Sequence, residues 1–429
     1  MQIKLFYGKS KVEVDVPDKN LMAILEPKDT EPLHDVESEI RRSLSSPIAS
    51  GKIRDIVKPH MKIAVLCDDY TRKTPAHLIL PQVLDELKSA GVKQENTKII
   101  IALGTHRVAT EQEIIEKVGK DVYEEYELLN HDWKSEGELV DLGKTSSGIP
   151  IQINKHVMNS DFVIGVGMIV PHRVSGFSGG SKIIQPGVCG AAATDYTHWL
   201  SAQFSGEEIL GKINNPVRTE MNRIAEKAKL KFIVNVVLDR FGNICGVFAG
   251  NFKETYAYGA KFSRDIYGIE VPERANIVIC DCPHPTSIEM WQAAKSIYTA
   301  DLVVKMKGTI VLLALCPEGV AVEHPDIEHF GYKPYHEVKN LVKEGKIKDL
   351  SAAAHMVHVG RVIREKAMCI LVSEGIDEKT AKRIGFDYAL TFDEALKKAL
   401  DKHGSNAKIV VMRHASDLLP IIKSESSRI

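Results

Sequence analysis

The sequence predicts an α/β protein made of two three-layer, Rossmann-like domains with mostly parallel sheets. Short apolar runs alternate with amphipathic helical patterns along the chain, and this alternation is typical of parallel sheets covered by helices. Hydrophobic residues make up 44% of the chain and charged residues 26%, as in ordinary globular proteins. At roughly 150 residues per domain, the length predicts two or three domains.

The first domain is predicted over residues 1–270, and it opens with a hairpin that turns at Gly8-Lys9-Ser10. Its predicted strands are Lys4–Tyr7, Val12–Val16, Lys62–Cys67, Lys98–Leu103, Phe162–Val166 and Phe232–Leu238. Its predicted helices are His77–Ser89, Glu111–Val118 and Asn215–Lys227. The strands after the hairpin are continuous apolar runs, which favours parallel strands covered on both faces.

The second domain is predicted over residues 275–405, after a linker at Ile269–Glu273. Its predicted strands are Ile277–Cys280, Thr309–Leu315 and Cys369–Val372, and its predicted helices are Ile288–Val304, Tyr335–Glu344 and Phe392–Lys402. A last strand, Ile409–Met412, and a helix ending at Ile422 are predicted to return to the first domain, within residues 408–429. We expect the active site to lie in a cleft between the two domains.

Composition argues against several classes of partner. A net charge of −1 gives no general attraction for nucleic acid or an anionic membrane. The longest apolar runs, such as Ile310–Cys316, are too short to span a bilayer. The seven scattered cysteines do not suggest a disulfide framework. Cys280 and Cys282 lack a second pair for a zinc site, so we interpret them as reduced thiols and expect a cytoplasmic protein.

Chemically active side chains follow several predicted strands. Asp68-Asp69-Tyr70-Thr71-Arg72 follows the strand ending at Cys67, and Gly104-Thr105-His106-Arg107 follows the strand ending at Leu103. The strand Phe162–Val166 precedes the segment from Pro171 to His198. Ligands in such folds bind outside the carboxyl ends of parallel strands, so these residues are predicted to line a site.

The segment from Pro171 to His198 is the richest in chemistry. Its glycines allow a close backbone turn in front of Lys182, while His172 and His198 bracket the lysine. Taken alone, this pattern also fits a phosphate-binding turn, a surface lysine and a half-buried histidine beside Trp199. Arg72 alone fits a surface ion pair with a neighbouring aspartate, and His106 alone fits a solvated loop.

Taken together, these motifs resemble the nickel-dependent lactate racemase family. The resemblance rests on Asp69-Tyr70-Thr71-Arg72, Gly104-Thr105-His106-Arg107, Pro171-His172-Arg173, Ser178-Gly179-Gly180-Ser181-Lys182 and Thr197-His198. It implies a nickel-pincer nucleotide, which is a pyridinium-3,5-bisthiocarboxylate-type mononucleotide that holds nickel. It also implies cofactor-synthesis and nickel-insertion proteins as partners, in addition to a small 2-hydroxy acid as substrate.

The resemblance implies a role for each matching residue. His106 and His172 are expected to act as the catalytic acid/base pair, Lys182 as the covalent cofactor tether and His198 as the nickel ligand. Arg72 and Lys295 are expected to bind substrate. The expected cofactor-binding residues, besides Lys182, are Asp69, Tyr70, Thr71, Arg72 and Gln292.

Elementary chemistry agrees with these roles. The α C–H bond of a 2-hydroxy acid is hardly acidic, so removing hydrogen as hydride, while a base takes the hydroxyl proton, is the easier route. A base is needed for each enantiomer, and histidine titrates near working pH. Arg72 offers a planar fork for a carboxylate, and imidazole suits nickel. The sequence therefore predicts a 2-hydroxyacid racemase, with lactate as the expected substrate.

Several alternatives remain open at this point. Some family members close the substrate pocket with an aromatic residue in a region where this chain has His355 and His358. A polar wall there would favour a larger or more polar substrate, such as malate or a sugar acid. A more distant alternative is a zinc-dependent hydrolase or lyase in which His106, His172 and His198 bind the metal. The last alternative is a protein that binds nucleotides and has no enzymatic activity.

Overall fold

The computed structural model describes residues 1–423 and is a mixed α/β structure with mostly parallel sheets, as predicted. The strands are β1 (Gln2–Gly8), β2 (Ser10–Asp15), β3 (Leu21–Leu25), β4 (Ile63–Asp68), β5 (Thr97–Ala102), β6 (Glu127–Asn130), β7 (Leu139–Lys144), β8 (Pro150–Asn154), β9 (Phe162–Met168), β10 (Pro171–His172), β11 (Gly176–Phe177), β12 (Leu230–Leu238), β13 (Ile244–Asn251), β14 (Gly268–Val271), β15 (Ala275–Pro283), β16 (Val304–Leu313), β17 (Ala367–Val372), β18 (Asp387–Ala389), β19 (Ile409–Met412) and β20 (Leu419–Ile422).

The α-helices cover the faces of the main sheets and connect their strands. They are α1 (Val36–Ser45), α2 (Ile53–Ile56), α3 (Ala76–Ser89), α4 (Glu111–Val118), α5 (Lys120–Glu125), α6 (Lys155–Met158), α7 (Ala191–Ser201), α8 (Gly206–Ile209), α9 (Pro216–Lys227), α10 (Phe252–Tyr267), α11 (Met290–Asp301), α12 (Pro325–Phe330), α13 (Tyr335–Lys343), α14 (Leu350–Glu365), α15 (Glu378–Ile384) and α16 (Phe392–His403). Among residues 1–423, no helix has both the length and the apolar character needed to cross a membrane.

One compact unit comprises residues 29–197 and 210–266; we call it the lysine unit, because it contains Lys182. The strand order of its main sheet is β13-β12-β9-β4-β5-β6, in which β12, β9, β4, β5 and β6 are parallel and β13 is antiparallel to β12. Residues 63–67 of β4 are fully buried, as expected of a central strand with both faces covered. The sheet therefore brings the carboxyl ends of β9, β4 and β5 side by side.

The second unit comprises residues 1–28, 198–209 and, within the described chain, 267–423; we call it the carboxyl-terminal unit. Its parallel strands follow the order β18-β17-β16-β15-β19-β3. The hairpin of β1 and β2 joins the same sheet where Tyr7 pairs with Cys282. Apolar residues of α11 and α14, including Ala293, Ile297 and Val357, pack in its core.

This division differs from the predicted domains at both ends of the chain. Residues 1–28 belong to the carboxyl-terminal unit because β3 pairs with β19 and the Asn20 side chain donates to the carbonyls of Ser405 and Ala407. Strand β19 pairs with β15 rather than returning to the lysine unit. The expected final helix is instead strand β20, which pairs with β14 inside the predicted linker. Residues 424–429 lie outside the described part of the chain.

Candidate functional site

The carboxyl ends of three neighbouring strands carry the predicted residues of the lysine unit. Strand β4 ends at Asp68, directly before Asp69, and the next strand, β5, leads into the turn that holds His106. On the other side of β4, β9 leads into the β10–β11 hairpin, which contains His172. The predicted gathering of polar side chains at one edge of a parallel sheet is therefore present within this unit.

Asp69 and His106 form a short hydrogen bond. His106 Nδ1 lies 2.6 Å from Asp69 Oδ2, and the other carboxylate oxygen accepts from the backbone N–H and hydroxyl of Thr71. Burial raises the pKa of Asp69, but the hydrogen bond from His106 and the charges of His106 and Arg72 outweigh it, so the pKa falls below its ordinary value. A carboxylate only accepts, so Nδ1 donates, and whenever the ring is neutral its lone pair is therefore on Nε2. His106 is thereby set up as a proton acceptor at Nε2.

Arg72 is held by its backbone. Its N–H donates to the Asp69 carbonyl at 3.1 Å, and its own carbonyl accepts from Lys117 Nζ at 2.9 Å. The same ammonium group lies 2.7 Å from Asp68 Oδ1, and the other oxygen of that carboxylate accepts from the Thr74 hydroxyl. The carboxylate of Asp68 is thus paired with Lys117 and not with Arg72. Among the described residues, the Arg72 guanidinium forms no salt bridge.

Tyr70 packs against a second arginine of this region. The guanidinium of Arg107 lies 4.2 Å from the centre of the Tyr70 ring and pairs with both carboxylate oxygens of Glu113. Cation–π contact and ion pair together fix the position of the Tyr70 ring beside the Asp69 turn. The protein therefore uses both Tyr70 and Thr71 in shaping the loop around Asp69.

His172 has the opposite hydrogen-bonding pattern to His106. It occupies β10, where it pairs with Gly176 of β11, and its Nδ1 accepts from the backbone N–H of Val174 at 3.3 Å. The hydroxyl of Ser175 also lies 3.1 Å from Nδ1. Because a backbone N–H can only donate, Nδ1 is unprotonated and the neutral ring carries its proton on Nε2. His172 is thereby set up as a proton donor at Nε2.

The glycine turn before Lys182 is tight. Gly179 and Gly180 have positive φ angles of 72° and 58°, which favour glycine. The N–H of Gly180 donates to Asn235 Oδ1 at 2.8 Å, and a Cβ on Gly179 would lie only 2.7 Å from that same oxygen. A short 3₁₀ turn, Gly180–Ile183, follows and carries Lys182. Side chains at either glycine would therefore distort the segment from which Lys182 projects.

The Lys182 amine is unusual for a lysine. Burial lowers its pKa, the charges of Arg72 and Arg218 lower it further, and the carboxylates of Asp69 and Asp68 only partly oppose them. The resulting pKa is about 7, so a large fraction of the amine is uncharged at neutral pH. An uncharged amine is a nucleophile.

Sequence reasoning missed three supporting residues of the lysine unit: Arg218, Asn235 and Lys117. Arg218 and Lys117 are nearly fully buried, at 2% and 8% exposure, among apolar residues of α9 and α4. A basic residue on the apolar face of an amphipathic helix was the available signal, because burying a cation is costly unless it holds something. Asn235, within the apolar run of β12, offered the same kind of signal.

The remaining predicted residues belong to the carboxyl-terminal unit. His198 lies in the last turn of α7, where its carbonyl accepts from the Ser201 hydroxyl at 2.6 Å. Gln292 and Lys295 lie one helical turn apart on α11, with Lys295 exposed. The sequence had placed His198 in the first domain, but the compact unit that contains it is the one that contains Lys295.

Two histidines expected to form a polar pocket wall are engaged inside the carboxyl-terminal unit. His355 Nδ1 lies 2.5 Å from the Tyr298 hydroxyl and Nε2 lies 3.4 Å from the Tyr332 hydroxyl. Burial, followed by the charges of His324 and Lys295, lowers the pKa of His355 to about 3, so the ring is neutral. His358 Nε2 lies 3.1 Å from the Ser201 hydroxyl. These contacts give the polar-wall hypothesis no support.

A second aspartate–histidine pair lies beside that cluster. His324 Nδ1 lies 2.6 Å from Asp349 Oδ2, and the His324 ring stacks on Trp291 with ring centres 4.0 Å apart. Trp291 also contacts the His355 ring at 4.2 Å. Across residues 1–423, no three His, Cys, Asp or Glu side chains are grouped so that they could hold a metal ion, which gives the zinc alternative no support.

Comparison with known proteins identifies the family. A sequence model of the lactate racemase N-terminal domain matches residues 7–210, and one of the lactate racemase C-terminal domain matches residues 271–418. The lactate racemase of Thermoanaerobacterium thermosaccharolyticum is 30% identical over 322 residues, covering 74% of this chain and 75% of that protein. The chain belongs to the lactate racemase family. This family member is therefore an isomerase of the racemase type.

Further relatives match this racemase-family chain over nearly its whole length. The lactate racemase of Lactiplantibacillus plantarum is 27% identical over 430 residues, covering 96% of this chain and 97% of that protein. The lactate racemase apoprotein structure from T. thermosaccharolyticum superposes with a TM-score of 0.84 at 27% identity, over 98% of this chain and 100% of that one. A Thermotoga maritima protein shares the fold, with a TM-score of 0.70 at 22% identity over 93% of this chain and 100% of that one.

Proposed function

We propose that this protein interconverts D- and L-lactate. The observation that carries the proposal is the complementary hydrogen bonding of the two Nδ1 atoms: that of His106 faces a carboxylate, whereas that of His172 accepts from a backbone N–H. In the neutral rings, this leaves a lone pair on Nε2 of His106 and a proton on Nε2 of His172. A racemase needs both partners, because one enantiomer must lose its hydroxyl proton while the other regains one. The names of the related proteins, lactate racemase, support lactate as the substrate.

We propose a nickel-pincer nucleotide as cofactor, with Lys182 as its covalent tether and His198 as the nickel ligand. The lysine unit fits such a group in two respects. The Lys182 amine has a pKa of about 7, and the nearby Arg72 guanidinium is available for an anionic group. When bound, the cofactor would supply the hydride acceptor that the side chains of this protein cannot provide.

The protein's own residues would bind substrate and move protons. His106 would take the hydroxyl proton of one enantiomer at Nε2, and His172 would return a proton from its Nε2. Asp69 would stabilise the imidazolium that forms on His106, because its carboxylate stays ionised beside the ring. Arg72 and Lys295 would hold the substrate carboxylate as the reacting centre inverts.

We propose that the lysine unit holds the cofactor, with Asp69, Tyr70, Thr71 and Arg72 shaping its site. A cofactor contact of Gln292 is likewise proposed from the family resemblance. The buried free thiols of this chain favour a reducing compartment such as the cytoplasm, where proteins for cofactor synthesis and nickel insertion would act on it.

Intact-mass analysis and a racemisation assay test the proposal. The protein is produced together with the cofactor-synthesis proteins, and the L. plantarum lactate racemase, produced in the same way, is the positive control for racemisation. We expect bound nickel, a mass increase localised to Lys182, and conversion of each lactate enantiomer. Lys182→Arg should lose the adduct and the activity, whereas Lys261→Arg, on the exposed side of α10, should keep both.

The range of substrates is a separate question. Lactate, malate, phenyllactate and gluconate should be compared under the same conditions. We expect lactate to be the best substrate, and turnover of malate or gluconate in preference to lactate would instead indicate the sugar-acid or larger-acid alternative. A loaded protein that racemises none of the four acids would contradict the proposed function.

A further inference from the structure

Arg218 is a buried arginine whose guanidinium donates several hydrogen bonds to one loop. Its Nη1 donates to the Gly179 carbonyl at 2.9 Å and lies 3.1 Å from the Ser181 hydroxyl. Its Nη2 donates to the carbonyl of Ser175 at 3.2 Å and to that of Phe177. One guanidinium group therefore joins the carbonyls of Ser175 and Phe177, which precede the glycine turn, to the Gly179 carbonyl and the Ser181 hydroxyl next to Lys182.

The other contacts of Arg218 hold it rigidly in this position. Its guanidinium lies 4.1 Å from the centre of the Tyr256 ring, a cation–π contact. The backbone N–H of Arg218 donates to Asn215 Oδ1, which caps α9, so the residue is fixed from the first turn of the helix. A Cβ on Gly180 would lie 2.9 Å from the Tyr256 ring, so that ring also packs directly on the turn.

Burying a cation to hold a loop costs desolvation free energy, so we expect the Arg218 charge to have a further effect. Burial lowers the pKa of Arg218, as expected when a guanidinium is removed from water. Apolar packing and a neutral donor could anchor a loop with a smaller desolvation penalty. A fixed positive charge behind the turn, however, acts directly on the lysine that the turn presents.

We propose that Arg218 is a positioning residue for Lys182: it fixes the glycine turn and disfavours the ammonium form of the Lys182 amine. This inference rests on the proposed function, in which Lys182 carries the cofactor. Arg72 repels the ammonium group from the loop after β4, and Arg218 does so from beneath the turn. Removing Arg218 would therefore both loosen the turn and make the amine more strongly basic.

Competitive acetylation of the protein free of cofactor tests the proposal directly. Acetic anhydride transfers an acetyl group to an uncharged amine with release of acetate, and mass spectrometry of the Lys182 peptide, with exposed lysine peptides as internal reference, gives its extent against pH. We expect half-maximal labelling of wild-type Lys182 near pH 7. Arg218→Gln should move the midpoint upward and, for a shift of half a pKa unit, lower labelling at pH 6 about threefold.

Two further variants separate charge from geometry. Arg218→Lys keeps the positive charge but cannot bind the carbonyls of Ser175, Phe177 and Gly179 together, because it lacks the planar fork of donors. It should shift the labelling midpoint less than Arg218→Gln, yet increase hydrogen exchange at the Gly180 amide. Arg223→Gln removes an exposed arginine from the same helix, where it pairs with Glu220, and should leave both measurements at the wild-type level.

An unchanged Lys182 labelling curve in folded Arg218→Gln would overturn the proposal. If that variant does not fold, the test passes to Arg218→Lys, for which hydrogen exchange at Gly180 equal to wild type would overturn it. Neither readout uses cofactor or substrate. An inactive loaded enzyme would therefore contradict the proposed function while leaving the result on Arg218 intact.

Discussion

The protein contains two aspartate–histidine pairs of the same geometry, one in each compact unit. In both, histidine Nδ1 lies 2.6 Å from an aspartate Oδ2. The side chain of Asp69 is 5% exposed at the end of a central strand, whereas that of Asp349 is 35% exposed and caps α14 through the Ala352 N–H. Identical pairs thus lie in very different surroundings.

The neighbours differ more than the pairs do. Around Asp69 lie Arg72, which forms no salt bridge among the described residues, and Lys182, whose pKa is about 7. Around Asp349 lie a helix end and the Trp291 ring stacked on His324. The first setting brings together a base, a cation and a nucleophile, and the second has the features of a helix cap with a stacked aromatic pair. An aspartate–histidine hydrogen bond by itself is therefore a poor indicator of catalysis.

Replacing the two histidines gives the sharpest test of this comparison. His106→Gln should lower kcat for lactate racemisation by about 10²–10⁴, the usual contribution of a general acid–base residue. His324→Gln should leave kcat within about threefold of wild type, because a helix-cap partner takes no part in proton transfer. The measurement is the racemisation rate in both directions, with nickel content as a control for loading. An equal fall in kcat in the two variants would mean that the two aspartate–histidine pairs do not differ in function.

Replacing the aspartates should give a smaller effect. Asp69→Asn removes the charge that fixes the His106 tautomer, and we expect kcat to fall about 100-fold. Asp349→Asn keeps an N-cap oxygen, so activity should stay at the wild-type level. Normal activity of Asp69→Asn would mean that His106 needs no carboxylate for its role.

A third histidine, His355, is an example of a histidine whose hydrogen bonds serve stability rather than proton transfer. His355 bonds to two tyrosine hydroxyls rather than to a carboxylate, and its low pKa keeps it neutral. His355→Phe should lower the free energy of unfolding by about 1–3 kcal/mol, because the buried Tyr332 hydroxyl and the partly buried Tyr298 hydroxyl each lose a partner. Urea unfolding measures this change, with the exposed His336→Phe as control. A stable variant with altered substrate preference would restore the polar-wall hypothesis.

Lowering the pH should reduce the stabilisation that each aspartate–histidine pair gives to the folded protein. The pKa values of Asp69 and Asp349 are both lowered in the folded protein: burial raises each, and hydrogen bonds and positive charge outweigh it. A lowered folded-state pKa means that the folded protein binds fewer protons than the unfolded chain, so the stabilisation is present above about pH 4 and is lost as pH falls. Asp69→Asn and Asp349→Asn should each reduce this loss in urea unfolding between pH 6 and pH 3. An unchanged pH dependence would contradict the lowered pKa values.

Most of the secondary structure could be predicted because hydrophobic patterns are local. The helix Glu111–Val118 was predicted with the observed bounds, and a capping box between Thr110 and Glu113 explains its start. The strand Lys62–Cys67 was predicted within one residue of β4. The location of site residues after these strands followed from the rule for parallel sheets.

Contacts distant in sequence could not be predicted in the same way. The pairing of β3 with β19 joins residues almost 400 apart in number, and no local pattern specifies such a partner. The hydrogen bonds of Arg218 likewise depend on a loop some 40 residues away. The tautomers of His106 and His172 depend on the hydrogen bonds of their Nδ1 atoms, which only the folded chain defines.

The pairing of β3 with β19 also affects the order in which the two units can fold during synthesis. A ribosome makes residues 21–25 early, but their partner strand, 409–412, emerges only after almost 400 more residues. The lysine unit is complete in sequence at residue 266, so it can fold while the carboxyl-terminal unit is still being translated. During that interval the backbone N–H and C=O groups of the apolar strand β3 lack the partner strand that later pairs with them.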